Sequence, residues 1–106
     1  MDDQQRIAWA AGLFEGEGSI SSSRERQVRL RLWMTDEDVV RRFCEIVGVG
    51  HVKGPYGPYD RGTKQLWAWD LIKKADVKKV LEMFQPWLGA RRLDQILTAM
   101  QKAGWI

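Results

Sequence analysis

The chain holds one cysteine, Cys44, and one histidine, His51, among its 106 residues. A single cysteine closes no disulfide within the chain and builds no cysteine-rich zinc site. A single histidine is too few for a histidine-rich metal centre. No apolar run approaches the ~20 residues needed to span a bilayer, and the opening MDDQQR is acidic and polar, unlike a secretory signal. There is no low-complexity tract and no internal repeat. These absences exclude secreted disulfide scaffolds, membrane-embedded proteins and cysteine-clustered zinc fingers. They predict one domain over residues 1–106 in a reducing compartment, with no membrane partner.

What is present is a modest excess of positive charge. Seventeen Lys and Arg against fourteen Asp and Glu leave +3. A total of that size says little about partners, and its distribution says more. Periodicity supplies the frame for that distribution. Asp2 or Asp3 can cap a first helix through Ile7, Trp9, Leu13 and Phe14, with Gly16 and Gly18 expected to end it. Residues 19–33 predict a hairpin whose second arm alternates strictly. Val28, Leu30, Leu32 and Met34 fall on one face, and Gln27, Arg29, Arg31 and Trp33 on the other. Thr35 reads as the cap of a second helix through Val40, Phe43 and Val47, with acidic residues in the first turn, where the helix dipole favours them. A short strand over 49–53, a turn-rich loop over 54–64 and a strand over 66–72 follow, then helices over 75–84 and beyond Pro86. The expected class is α+β, a four-stranded antiparallel sheet with helices on one face.

So few helices cover only one sheet face. The other carries Gln27, Arg29, Arg31 and Trp33, flanked by Ser21, Ser23, Arg24 and Arg26 from the hairpin and by Lys53, Arg61 and Lys64 from the third strand and its loop. A two-stranded ribbon fits the major groove of B-DNA, arginine reads guanine with two hydrogen bonds, and Gln or Ser reads other base edges. The competing explanation is a solvated face whose charges block edge-to-edge aggregation. Of six tryptophans, Trp9, Trp67 and Trp87 fall on apolar faces and are expected in the core, while Trp33 is expected outside. Tyr56 and Tyr59 are expected at the loop tip, and Cys44 in or near the core.

The first helix is unusual in another way. Ala8, Gly12 and Gly16 recur at spacing four with Ala11 beside them, a pattern that lets a second backbone approach closely. Gly12 inside a helix costs about 1 kcal/mol against alanine, and close helix–helix packing offsets such a cost. Glu15 and Glu17 follow at the negative end of the helix dipole. Two carboxylates there point either to a cation or to a plain acidic turn.

The stretch WAAGLFEGEGSI, Trp9 to Ile20, closely resembles the signature of the LAGLIDADG homing endonucleases, with both acids as Glu. Thr35-Asp36-Glu37-Asp38, Gly48-Val49-Gly50-His51-Val52 and Gln85-Pro86-Trp87-Leu88 with its basic pair resemble that family's later segments, and the element order matches its αββαββα order. The resemblance implies a homodimer, because one motif is present, packed along Ala8, Ala11, Gly12, Glu15 and Gly16. It implies double-stranded DNA as partner, Mg²⁺ or Mn²⁺ as cofactor and no organic cofactor. It implies Glu17 as metal ligand with the Gly16 carbonyl, Asp36 as an organiser of water, and Arg91, with Arg92 adjacent, as the basic catalytic group. The reaction would be site-specific phosphodiester hydrolysis in the cytoplasm or an organellar matrix. A catalytically inactive DNA-binding regulator and an intron maturase that binds RNA are the alternatives on the same surface.

Overall fold

A computed structural model describes residues 1–23, 25–58 and 64–106. Arg24, Tyr59 and Arg61, named above, lie outside the described residues. Helix α1 (Asp3–Glu17) leads into strands β1 (Gly18–Ser22) and β2 (Val28–Met34). Helix α2 (Glu37–Val47) precedes β3 (His51–Tyr56) and β4 (Leu66–Leu71), and α3 (Lys74–Phe84), a 3-10 turn (Gln85–Trp87) and α4 (Ala90–Lys102) complete the order. The sheet order is β1-β2-β4-β3, with every neighbouring pair antiparallel. Among the described residues, no helix is long and apolar enough to cross a membrane.

The period-two pattern of β2 sets the two faces. Val28, Leu30 and Leu32 are fully buried under the helices. Their cross-strand neighbours are Leu71 and Trp69 on β4, and Val52 on β3 pairs with Trp69. Trp69 is the largest wholly buried side chain, and its indole N–H donates to the Val49 carbonyl at 2.8 Å. Phe43 meets Trp69 edge-on at 4.9 Å between ring centroids, and Phe84 lies 5.7 Å from Phe14 and 6.0 Å from Phe43. These aromatic contacts tie α1, α2 and α3 to the inner sheet face, which leaves the outer face free for charge.

Several sequence expectations shift. Asp2 is the cap of α1, in a reciprocal box with Gln5. Gly16 does not end that helix; it continues to Glu17, and Gly18 is the first extended residue. Asp36, not Thr35, occupies the N-cap position of α2, and its side chain makes no capping bond. Trp87 is 45% exposed rather than core, because Pro86 ends α3 in a tight turn that swings the indole outward. Trp9 and Trp67 are half-buried against the core, which makes Trp69 its central indole.

Candidate functional site

Two surfaces meet at one end of the β1–β2 hairpin, the outer sheet face and the end of α1. The outer face is built by register. Ser19 pairs with Arg31 and Ser21 with Arg29, while Arg31 and His51 both stand opposite Asp70, and Trp33 and Lys53 both stand opposite Ala68. Ser21, Ser23, Gln27 and Lys64 are exposed. Trp33 is 37% exposed, 5.4 Å from the Tyr56 ring and under the Arg31 guanidinium at 5.8 Å. An aromatic pair and a row of cations therefore share this face.

Arg26 departs from the expected strip. Its φ of 65° is left-handed, and its side chain lies on the helix side, where it donates to the Gly104 carbonyl at 3.3 Å. Its own carbonyl accepts the Trp105 indole N–H at 2.7 Å. Arg26 shares the parity of Val28 and Leu30, so the alternation of β2 itself places it on the helix side rather than with Arg29 and Arg31.

Asp70 is the residue that sequence reasoning missed. It is only 8% exposed, yet it lies on the outer face. Its carboxylate accepts Arg29 Nε and Nη2, each at 2.9 Å. Arg31 Nε stands 3.6 Å away and Lys53 Nζ 3.8 Å away. Burial pushes the Asp70 carboxyl up, but the Arg29 hydrogen bonds and the charges of Arg29, Arg31 and Lys53 outweigh it and hold the group below the usual carboxylate range. The same pair raises the Arg29 guanidinium, its hydrogen bond to Asp70 outweighing desolvation. A depressed carboxyl contributes stability that is present above its unfolded pKa and lost as pH falls through the folded value. The thermal midpoint should therefore drop more steeply below about pH 4 in the wild-type protein than in Asp70→Asn, as followed by circular dichroism. Parallel profiles would remove Asp70 from the acid response.

The end of α1 is held by α4. Glu15, named above at the small-residue stripe, turns its carboxylate towards α4 and accepts the Gly89 backbone N–H at the α4 N-cap, a structural role at the helix end. Arg92 is 7% exposed. Its Nε donates to the Glu15 carbonyl at 3.1 Å, its Nη2 to the Gly18 carbonyl at 2.7 Å and its Nη1 to Gln95 at 2.9 Å. Helices leave their last carbonyls without intrahelical partners, and Arg92 satisfies this end. Glu15 Oε2 is buried without a hydrogen bond, 3.5 Å from Arg92 Nε. Arg91, the neighbour expected as the basic catalytic group, is exposed on the first turn of α4. Arg92→Met should cost about 3 kcal/mol of stability, because it strands a half-buried carboxylate and two carbonyls. Urea denaturation measures this, and a loss below about 0.5 kcal/mol, the range of an ordinary surface change, would mean that water replaces the guanidinium without penalty.

Glu17 is the exposed last residue of α1 and makes no ion pair among the described residues. Gly16 lies in the same turn, where carbonyls lack intrahelical partners. Gly12 and Gly16 are exposed, an added Cβ at either would meet nothing within 4 Å beyond the helix's own adjacent backbone, and Ala8 is half-buried. Ala11 is fully buried in the chain's own core, so its expected place on the open stripe is corrected; one residue along a helix turns away by about 100°. Gly18 is different. A Cβ there would lie 2.5 Å from Phe14, so the turn from α1 to β1 closes only on glycine. The hairpin register, Gly18 opposite Leu32, brings Asp36 to this same end of the sheet. Among the described residues, no three His, Cys, Asp or Glu side chains converge as a metal cluster. Cys44 is half-buried beside the Val49 and Gly50 carbonyls, and burial pushes its thiol up against the opposing pull of Arg41, so it is a packing residue.

The family model described as a LAGLIDADG-like domain matches residues 4–85. No curated protein matches the sequence. Among solved structures, the homing endonuclease I-CvuI in complex with its target in the presence of Ca superposes with a TM-score of 0.70 at 22% identity, over 93% of this chain and 66% of that one. I-CvuI with the I-CreI target in the presence of Mg gives a TM-score of 0.71 at 21% identity. The group I intron-encoded homing endonuclease I-CeuI complexed with DNA gives 0.68 at 13% identity, over 88% of this chain and 51% of that one. The chain thus spans just under two thirds of the length of I-CvuI, with the same fold.

Proposed function

Because the chain belongs to the LAGLIDADG-like domain family and has the homing-endonuclease fold, we propose that it is a site-specific endonuclease for double-stranded DNA, working as a homodimer with Mg²⁺ or Mn²⁺. The observation that carries this reading is the pairing of an exposed Glu17, without an ion pair among the described residues, with an open glycine stripe on the same helix. One carboxylate and the carbonyls of one helix end make half of an oxygen donor set. A second copy of α1, packed along Ala8, Gly12 and Gly16 about a twofold axis, would bring the other half beside it.

The donor chemistry fits the cation. Glu17 and the Gly16 carbonyl would hold it, because carboxylate, carbonyl and water oxygens suit Mg²⁺. When bound, such an ion lowers the pKa of an attacking water and neutralises charge on the leaving oxygen. The chain's own residues do the rest. Arg92 and Glu15 keep the end of α1 at a fixed place against α4. Asp36, with no capping bond to make, is free to accept a hydrogen bond from water at the same end of the sheet. Arg91, exposed beside Arg92, would offset negative charge that builds on the phosphate. Ser21, Ser23, Gln27, Arg29, Arg31, Trp33, Lys53 and Lys64 would face the duplex.

The test is incubation with Mg²⁺ and a randomised duplex library, followed by sequencing of the cut ends. Staggered cuts within one long, near-palindromic consensus are expected. Retention of a duplex consensus without cutting would overturn the nuclease reading in favour of a regulator.

A further inference from the structure

A buried carboxylate in the middle of a basic face is the least expected group on this surface. Asp70 stands on β4, an interior strand of the sheet, with cations from β2 on one side and β3 on the other. An acid there weakens the general attraction for a polyanion. Its geometry gives a specific return. Arg29 spends Nε and one Nη2 hydrogen on Asp70 in a two-pronged contact, which fixes the plane of the guanidinium. Three of its five N–H groups remain, and two of them, one on each Nη, form the end edge of the guanidinium. Reading guanine takes two coplanar N–H groups, so a fixed plane presents that edge in one orientation. Arg31 Nε and Lys53 Nζ, at 3.6 and 3.8 Å, are too distant for direct hydrogen bonds to Asp70 and keep all their donors for phosphates.

We propose, building on the endonuclease reading, that Asp70 is a positioning residue that sets the sequence discrimination of the sheet face by orienting Arg29. Without Asp70, Arg29 swings freely and meets any phosphate, so binding gains strength and loses selectivity. The cluster divides its labour, with Arg29 for a base edge and Arg31 and Lys53 for the backbone.

The test selects a preferred duplex from a randomised pool with the wild-type protein. It then measures affinity for that duplex and for an unrelated one across a salt series, without metal. Asp70→Asn should bind the unrelated duplex more tightly at low salt, while the preferred-to-unrelated ratio falls about tenfold or more. Arg29→Lys keeps every charge and loses the two-pronged contact, so the ratio should fall with no gain for the unrelated duplex. It leaves the buried acid in place and decides the question if Asp70→Asn fails to melt cooperatively. An unchanged ratio in folded variants overturns the role of Asp70 and leaves the endonuclease reading standing. A wild-type protein that retains no duplex overturns both.

Discussion

Glu17→Gln should lower cleavage of the preferred duplex by roughly 10³-fold or more, the scale on which single groups that act mainly in the transition state count. The substitution is nearly isosteric at an exposed helix end and breaks no ion pair among the described residues, so the fold has little reason to change. It also removes a negative charge from a surface proposed to face phosphates, so affinity should hold or rise. Cleavage and binding therefore separate, as loss of a purely structural residue would not make them do. The measurements are single-turnover cleavage in Mg²⁺ and a binding isotherm without metal. A variant that cuts at the wild-type rate would remove Glu17 from the reaction. One that neither cuts nor binds would make it a structural or docking group instead.

Gly12→Leu should turn a dimer into a folded monomer. An added Cβ at Gly12 meets nothing within 4 Å beyond the helix's own adjacent backbone, and the position is exposed, so a side chain there has open space to enter. Replacing glycine in a helix should even stabilise the isolated fold by about 0.5–1 kcal/mol. Between two copies of α1, however, the same side chain fills the gap that lets the backbones approach. Light scattering should report half the mass at a concentration where the wild type is paired. Losing the second half-site contact should weaken binding to a palindromic duplex by roughly 10²-fold or more. Rising thermal stability together with falling mass is the signature of an interface. An unchanged mass would place the contact between copies elsewhere.

The parts of this molecule that depend on local period were legible in its sequence. Strict alternation from Val28 to Met34 assigned the covered and open faces, because a one-residue slip would have reversed them all. The element order followed from helical spacing and turn residues. What escaped depends on distances between segments. The alternation of Trp67, Trp69 and Leu71 already sends Asp70 outward, but only the pairing of β4 with β2 and β3 shows that it lands among three cations. Arg91 and Arg92 are chemically alike in sequence, and the phase of α4 after Gly89 decides which of them turns inward. Ala11 looks like part of a small-residue stripe until the sheet position shows which side of α1 is covered. Charge alone groups Arg26 with the open strip, although it shares the parity of Val28 and Leu30, and the structure places it against Gly104 and Trp105.

Helix α1 passes into β1 without an intervening residue, and Gly18 at that joint admits no side chain. The element proposed to lie on the twofold axis is thus welded to the first strand of the sheet proposed to face the duplex, with Arg92 bolted across the joint. Such a coupling has no slack to absorb a change in the length of its target. One extra base pair at the centre of the site would displace one half by about 3.4 Å and rotate it by roughly 35°. A dimer of this chain would act as a fixed-gauge caliper, tolerant of base changes at individual positions and intolerant of a single insertion at the centre.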